Sequence, residues 1–447
     1  MNISLNENIV IKDYEVKGLL IDTKRASYRK VNSSGLTISK YLEKYKILDV
    51  DSLMSKLSEL YQLPEEVFKD DVMDYITDMA KRGFYLIDGI SQMKDLEEGE
   101  NESSTSNGIW IKVTNRCNLR CRYCYANSGE GEEEEITINE IKEILEELKV
   151  RNYRKIIITG GDPLMRKDIL EILEVCRKYG QVQLLTNGTI GEKNVFERII
   201  ELVDVVQISI DSYDEDFHDR NRGKGSFQKA ISTIKFLTSL APEKIVIAMT
   251  PTPEYMADIV EMIRFCLALN VKCLHINRFV PYGRAKSYQN HFDIETFYKW
   301  VDKGYDFLRT TYVNYYKQNK SFQFRLDVAS DLCNQVYSKG KKISCGLNCN
   351  QISIESNGDV YLCASLHIPD LVLGNIRNEK ISDILDNSQK KYGNFSVDEL
   401  PGCQSCDEKY FCGGGCRAIA LNETGDLYGK ESSCSVYKKR IHDLMLR

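Results

Sequence analysis

The chain has 447 residues, 42% of them hydrophobic, and a net charge of −6 from 60 basic and 66 acidic side chains. That length exceeds one ordinary hydrophobic core, so two or three domains are expected. No apolar run approaches the roughly 20 residues of a membrane span, the N-terminus MNISLNENIVIKDYE lacks a secretion signal, and no basic stripe invites nucleic acid, which leaves a cytoplasmic protein partnered by neither membrane nor nucleic acid.

Residues 1–90 read as strand, strand and three helices. Tyr14–Ile21 and Ala26–Val31 alternate in polarity as half-buried strands do. A helix opens at Asp51-Ser52-Leu53 and aligns Leu53, Leu57 and Leu60 on one face. A further helix runs from Pro64 to Arg82, stopped by Gly83, with Val67, Val72, Ile76 and Met79 as its apolar positions. Residues 91–107, rich in Glu, Ser and Asn, read as a flexible linker.

From 108 to 290 strand and helix alternate six times. The strands are placed at 109–114, 155–159, 182–186, 205–210, 244–250 and 272–279, with helices such as Thr137–Lys149, Lys167–Lys178 and Phe227–Leu237 between them. This alternation predicts a parallel sheet with right-handed crossovers, whose chemistry sits at the C-terminal strand ends. There the first strand feeds Cys117, Cys121 and Cys124, in C-x3-C-x2-C spacing. Three thiolates on a four-iron cluster leave one iron open to a ligand that is not protein. The second strand ends in Thr159-Gly160-Gly161-Asp162-Pro163, by itself an ordinary turn.

Together, the cysteine triplet and the Gly-Gly-acid turn resemble the radical SAM superfamily. The resemblance implies an open, partial (β/α)6 TIM-type barrel. It implies S-adenosylmethionine (SAM) bound through its amine and carboxylate to the open iron, and reductive cleavage to a 5′-deoxyadenosyl radical. The SAM contacts it implies are Tyr123 at the adenine, then Gly160, Gly161, Asp162 (where the family often has Glu), Ser209, Asp211 and Arg222. For Asp211 and Arg222 a structural cap or surface ion pair is an equal alternative. Thr186-Asn187-Gly188 falls at the third strand's end, and for Pro281-Tyr282-Gly283-Arg284-Ala285, after the sixth strand, the resemblance implies closure of the adenine side through backbone contacts. The acidic run Gly129–Glu135 reads as a solvated, mobile loop.

Residues 291–340 read as a bridge to a Cys-rich region at 341–447. With 15 Cys and only 5 His, the chain points to thiolate-bound metal rather than disulfides, imidazole sites or His-centred triads. Cys345 is followed by twelve residues, Gly358, four residues and Cys363; then come Cys403-x2-Cys406-x5-Cys412-x3-Cys416 and, seventeen residues on, Cys434. Seven thiolates cannot share one tetrahedral site, so at least two metal centres are implied, with paired zinc sites as the alternative to iron–sulfur clusters. Gly413, Gly414 and Gly415 permit a tight wrap.

The seven-cysteine pattern resembles the SPASM domain. That resemblance implies two auxiliary [4Fe–4S] clusters, three clusters in all. By position, Cys403, Cys406, Cys412 and Cys434 enclose the outer one, and Cys345, Cys363 and Cys416 hold the inner one. Cys349 either closes the inner cluster, leaving it to shuttle electrons, or points away and leaves an iron for a substrate thiolate. Cys176, Cys266, Cys273 and Cys333 match no motif and read as buried small hydrophobes.

Nearly the whole chain resembles the radical SAM/SPASM peptide maturases. The layout of 1–90 is similar to the winged-helix-like domain that binds leader peptides in ribosomal-peptide biosynthesis, where an extended leader can add a strand to a sheet edge. The implied activity is that of an oxidoreductase of the sactipeptide or ranthipeptide type. Hydrogen abstraction from a precursor peptide is followed by oxidative thioether formation, with a flavodoxin or ferredoxin as reductant and no acid–base residue assigned. The rivals are a carbon–carbon cross-linking maturase, an anaerobic sulfatase-maturing (formylglycine-generating) enzyme, and a non-enzymatic iron–sulfur electron carrier with a peptide-binding module.

Overall fold

The structure, a computed structural model, describes residues 1–15, 17–93, 107–131, 134–288, 292–318, 320–329, 332, 345, 347, 351–392 and 396–447. The N-terminal unit contains β1 (Asn2–Leu5), β2 (Ile9–Asp13), β3 (Lys17–Asp22), β4 (Ser27–Asn32), α1 (Ser33–Tyr45), β5 (Ile47–Asp49), α2 (Val50–Tyr61), α3 (Lys69–Lys81) and β6 (Tyr85–Ile87). They form two antiparallel three-stranded sheets, β2-β3-β4 and β5-β1-β6. Four of these strands, β1, β2, β5 and β6, were not expected. At three to five residues each, they are too short to display a period of two.

The expected strand at Tyr14 starts instead at Lys17, because the Tyr14 N–H donates to the Lys17 carbonyl at 3.0 Å and closes a hairpin turn. The helix expected from Pro64 breaks as well. Glu65–Val67 is a 3-10 turn, and Phe68, at φ −131°, interrupts the chain before α3. Val67, placed on a core face by helical spacing, is therefore 63% exposed, and Leu60, in the last turn of α2, is 51% exposed. Asn32 caps α1 by accepting from the Gly35 N–H, and Asp49 caps α2 by accepting from that of Ser52.

Parallel strands follow: β7 (Asn107–Lys112), α4 (Ile138–Val150), β8 (Tyr153–Thr159), α5 (Ile169–Arg177), β9 (Gln181–Thr186), α6 (Lys193–Leu202), β10 (Val205–Ser209), α7 (Glu215–Arg222), α8 (Ser226–Leu240), β11 (Ile245–Met249), α9 (Ile259–Ala268), β12 (Cys273–Ile276), α10 (Ile294–Lys317) and β13 (Arg325–Val328). All five residues of β11 are buried, as expected of strands covered on both faces. Thr137 and Glu140 form a capping box at the start of α4.

Two differences from the expected barrel bear on the site. The parallel run has a seventh strand, β13, inside the region assigned as a bridge. The sheet also continues past β7 into the Cys-rich region through β14 (Ile352–Ile354), parallel to β7, then antiparallel β15 (Asp359–Tyr361) and β16 (Gly374–Asn375). One ten-stranded sheet thus carries both cysteine regions. The chain ends in α11 (Ile381–Tyr392), α12 (Lys409–Cys412), α13 (Arg417–Thr424) and α14 (Cys434–Leu446). No described helix is long and apolar enough to cross a membrane.

The units share a core. Alternation along β3 sends Leu20 into the N-terminal core, while Leu19 and Ile21 join the main core on the opposite face. Tyr28 of β4 packs edge-on against Phe411 at 6.2 Å, and Lys12 pairs with Asp407 at 2.7 Å.

Candidate functional site

The loop after β7 carries Cys117, Cys121 and Cys124, and its position is set by the end of β8. The Gly161 N–H donates to the Thr114 carbonyl at 2.7 Å and the Asp162 N–H to that of Arg116 at 2.8 Å. A Cβ on Gly160 would lie 2.6 Å from the Thr114 carbonyl oxygen, and one on Gly161 would overlap the Arg116 carbonyl. The close approach that requires glycine here is thus to the cysteine loop's own backbone.

Asp162 is 1% exposed and accepts from the Leu164 N–H at 3.0 Å, the Thr186 hydroxyl at 2.9 Å and the Asn187 N–H at 2.7 Å. Burial pushes its carboxyl up to about 6 against those three donors. Its oxygens tie β8 to β9. Asn187 then extends its Nδ2 to the Cys117 sulfur at 3.9 Å and to Asn118 Oδ1 at 2.9 Å.

From the far side Arg284 grips the same loop, donating from Nε to the Cys121 carbonyl at 2.8 Å, from its backbone N–H to that of Cys124 at 2.9 Å, and from its guanidinium to that of Ser128 at 3.0 Å. Burial pushes the Cys121 thiol up to about 11, and its neighbours Cys124 and Cys117 add to the rise. Asp211 adds more to that rise than either sulfur does, and Arg222 opposes it.

Three of the expected SAM contacts bind one another. Arg222 donates from Nε to Asp211 Oδ2 at 2.7 Å and from a terminal nitrogen to Oδ1 at 2.9 Å. The Tyr123 hydroxyl donates to Asp211 Oδ2 at 2.5 Å, and the guanidinium lies 5.4 Å over the Tyr123 ring. All three side chains are buried. Burial opposes the Asp211 charge, but Arg222 overrides it and holds the carboxyl below its ordinary range. Ser209 ends β10, half-buried. Near these residues Asn115 Oδ1, Ser128 Oγ and Asn221 Nδ2 are buried without a partner. Such atoms are costly unless a ligand satisfies them, so the barrel mouth fits a polar cofactor. Sequence offered no signal for Asn115 or Asn221.

Farther along, Cys403, Cys406, Cys412 and Cys434 line one cavity of about 510 Å³, counting its open mouth. Gly413, Gly414 and Gly415 all take positive φ, from 71° to 81°, and so wrap the chain around it. Burial pushes the Cys412 thiol up to about 12, with Cys403 and Cys434 adding to it. A second set forms nearby, where burial raises the Cys363 thiol and Cys416 and Cys345 raise it further. Cys349 lies outside the described residues, as does Cys333; Cys176, Cys266 and Cys273 are buried.

Glu431 accepts from the Cys416 N–H and, through Oε2, from Arg278 and the Tyr437 hydroxyl, both at 2.8 Å. Arg278 follows β12, so the barrel fixes a cysteine of the second set.

Two further findings depart from expectation. A His-centred chain exists: Ser353 Oγ meets His367 Nε2 at 2.8 Å, His367 Nδ1 meets Glu355 at 2.7 Å, and Lys112 pairs with Glu355 at 2.8 Å. Ser353 is 1% exposed, so this network braces the loop after Cys363 onto β14 rather than presenting a nucleophile. Part of the acidic run is also tied down rather than solvated. Glu135 pairs with Arg116 at 2.7 Å and accepts from Thr114, whereas Glu134, 3.7 Å from Arg377, stays 85% exposed.

Residues 111–266 match the Radical SAM superfamily, and residues 345–407 match the SPASM iron–sulfur cluster-binding domain. The second match favours iron–sulfur clusters over zinc. The chain is 26% identical over 443 residues to the antilisterial bacteriocin subtilosin biosynthesis protein AlbA of Bacillus subtilis (strain 168), covering 96% of this chain and 90% of that one. It is 29% identical over 367 residues to an AdoMet-dependent heme synthase of Nitratidesulfovibrio vulgaris, covering 78% and 96%. The crystal structure of Streptococcus suis SuiB bound to precursor peptide SuiA superposes with a TM-score of 0.58 at 16% identity, over 97% of this chain and 99% of that one. At that identity the likeness is one of fold.

Proposed function

We propose that this chain, a radical SAM enzyme with a SPASM iron–sulfur domain, matures a ribosomally made precursor peptide by joining a cysteine sulfur to a carbon of that peptide. The observation that carries the reading is the reach of the AlbA match. At 96% of the chain it must include most of residues 1–90, whereas the heme synthase match leaves 22% of the chain aside.

In this reading the N-terminal unit captures the leader. Strands β2 and β4 each pair on one side only among the described residues, and an extended peptide can add there through main-chain hydrogen bonds. Cys117, Cys121 and Cys124 would hold the first cluster, Cys403, Cys406, Cys412 and Cys434 the outer auxiliary one, and Cys345, Cys363 and Cys416 the inner, giving three. When bound, SAM and the reduced first cluster would supply a 5′-deoxyadenosyl radical able to take a hydrogen atom from the peptide.

The chain's own side chains place and insulate. Asp162 and Arg284 hold the cysteine loop from two sides. The buried Tyr123–Asp211–Arg222 group closes the barrel mouth between the loop, β10 and α7, leaving Ser209 and the Gly160–Gly161 backbone to meet SAM. A flavodoxin- or ferredoxin-type protein would supply the electron. Joining sulfur to carbon removes two hydrogens from the peptide: one goes as a hydrogen atom to the radical, and the thiol proton and one electron must also leave, the electron to an oxidised cluster that the auxiliary cysteines would hold.

The test uses anaerobically reconstituted protein, SAM, dithionite and a Cys-containing precursor encoded beside the gene. A mass loss of two hydrogens with the cysteines no longer alkylatable supports the thioether. The same loss with every cysteine still alkylatable replaces it by carbon–carbon linkage. Turnover of a porphyrin but of no peptide would move the assignment to heme chemistry, which the 29% identity to the heme synthase makes the specific rival.

A further inference from the structure

Four arginines are buried among the described residues: Arg166, Arg222, Arg417 and Arg440. Three have a carboxylate: Arg166 meets Asp168 at 2.6 Å, Arg222 meets Asp211 at 2.7 Å, and Arg440 pairs with Asp302. Arg417 has none among the described residues. It opens α13 directly after Cys416 and is 2% exposed. One terminal nitrogen donates to the carbonyls of Leu427 at 3.2 Å and Gly429 at 2.8 Å, and the other to that of Gly414. Its Nε is buried without a partner. A guanidinium does not lose its proton in a protein, and an uncompensated buried charge is strongly unfavourable.

What surrounds it is sulfur. Arg417 lines the cavity of Cys403, Cys406, Cys412 and Cys434. Cys416 of the second set is its immediate neighbour at the start of α13, and its guanidinium reaches the Gly414 carbonyl, between Cys412 and Cys416. One residue therefore stands beside both thiol sets.

We infer that Arg417 is the shared counter-charge of the two auxiliary clusters, a positioning residue that favours their reduced forms. A cubane on thiolates is anionic and gains a further negative charge on reduction, so a fixed cation in a dry site raises its potential. This rests on the reading that both thiol sets hold clusters.

The test is a potentiometric titration of the full-length, anaerobically loaded chain, followed by electron paramagnetic resonance, for wild type, Arg417→Lys and Arg417→Gln. Arg417→Gln is expected to shift the one-electron equilibrium of the auxiliary signals at least tenfold toward the oxidised form, about 59 mV lower. Arg417→Lys, which keeps the charge but not the fork, stays near wild type, and the Cys117/Cys121/Cys124 cluster is unmoved in both. Full iron content with unchanged auxiliary potentials in Arg417→Gln overturns the inference alone. Wild type that binds iron only at the first cluster overturns the cluster reading and this inference with it. Should Arg417→Gln fail to take up iron, thermal unfolding of the iron-free proteins decides. A glutamine variant at least as stable as iron-free wild type supports an uncompensated charge, whereas a clearly less stable one assigns Arg417 to backbone bracing and overturns it.

Discussion

At Gly161 one methyl group separates a seated cysteine loop from a displaced one. A Cβ there would overlap the Arg116 carbonyl and lie 2.6 Å from that of Asn115, both backbone atoms that cannot swing aside. Gly161→Ala should cost about 1–3 kcal/mol of stability, as overpacking does, and lower the iron bound at the first site while the auxiliary iron stays. Iron analysis of the variant beside wild type, in the full chain and in one lacking the auxiliary cysteines, checks both parts, and undiminished iron at the first site would contradict it. The Asp211–Arg222 pair offers a second check. Asp211→Asn leaves a buried guanidinium against a neutral partner and should cost about 3–5 kcal/mol; Asp211→Leu with Arg222→Met should recover most of that in urea unfolding. Unchanged stability with lost SAM affinity would instead turn the carboxylate toward the cofactor.

The cysteines expected to hold clusters were legible because spacing alone declares them, and the structure brings four of them, Cys403, Cys406, Cys412 and Cys434, to one cavity. Tyr123, Asp211 and Arg222 were legible as a set at the barrel mouth but not as partners of one another, since contacts between residues 88 and 11 positions apart leave no local pattern. Arg417 escaped for a related reason: its oddity lies in the carboxylate it lacks.

The strand–loop unit of β14, β15 and the turn to His367 shows what elements add. Burial works against the Glu355 charge, but the His367 hydrogen bond and the Lys112 ammonium hold its carboxyl at about 2, against an ordinary 4.5. A carboxyl depressed on folding adds stability that is complete above 4.5 and is lost as pH falls from there through 2. Glu355→Gln should therefore unfold at lower urea than wild type at pH 7, by about 1–3 kcal/mol, and the gap should close toward pH 2. Measured on iron-free protein, a gap independent of pH would contradict the assignment. The six long βα units were readable from apolar runs and capping residues such as Thr137. The strands β1, β5, β6 and β13, with three or four residues each, form because neighbours supply pairing, which a local pattern does not record.

At the scale of the molecule, the N-terminal unit is welded to the C-terminal one rather than tethered to it. Leu19, Ile21, Ala26 and Tyr28 belong to the main core, and Lys12 reaches Asp407 beside the outer cysteines. Tyr28→Ala should cost about 3 kcal/mol and lower one cooperative transition; calorimetry showing a separate, unaffected barrel transition would contradict the shared core.

The proposed chemistry requires that three sulfurs leave one iron open to SAM. The direct measurement is 5′-deoxyadenosine formed by iron-loaded chain under argon with dithionite and SAM, beside Cys121→Ala with its auxiliary cysteines intact. Product from the wild type and none from the variant, at matched auxiliary iron, is the predicted result. Product from neither chain, or equally from both, would contradict it.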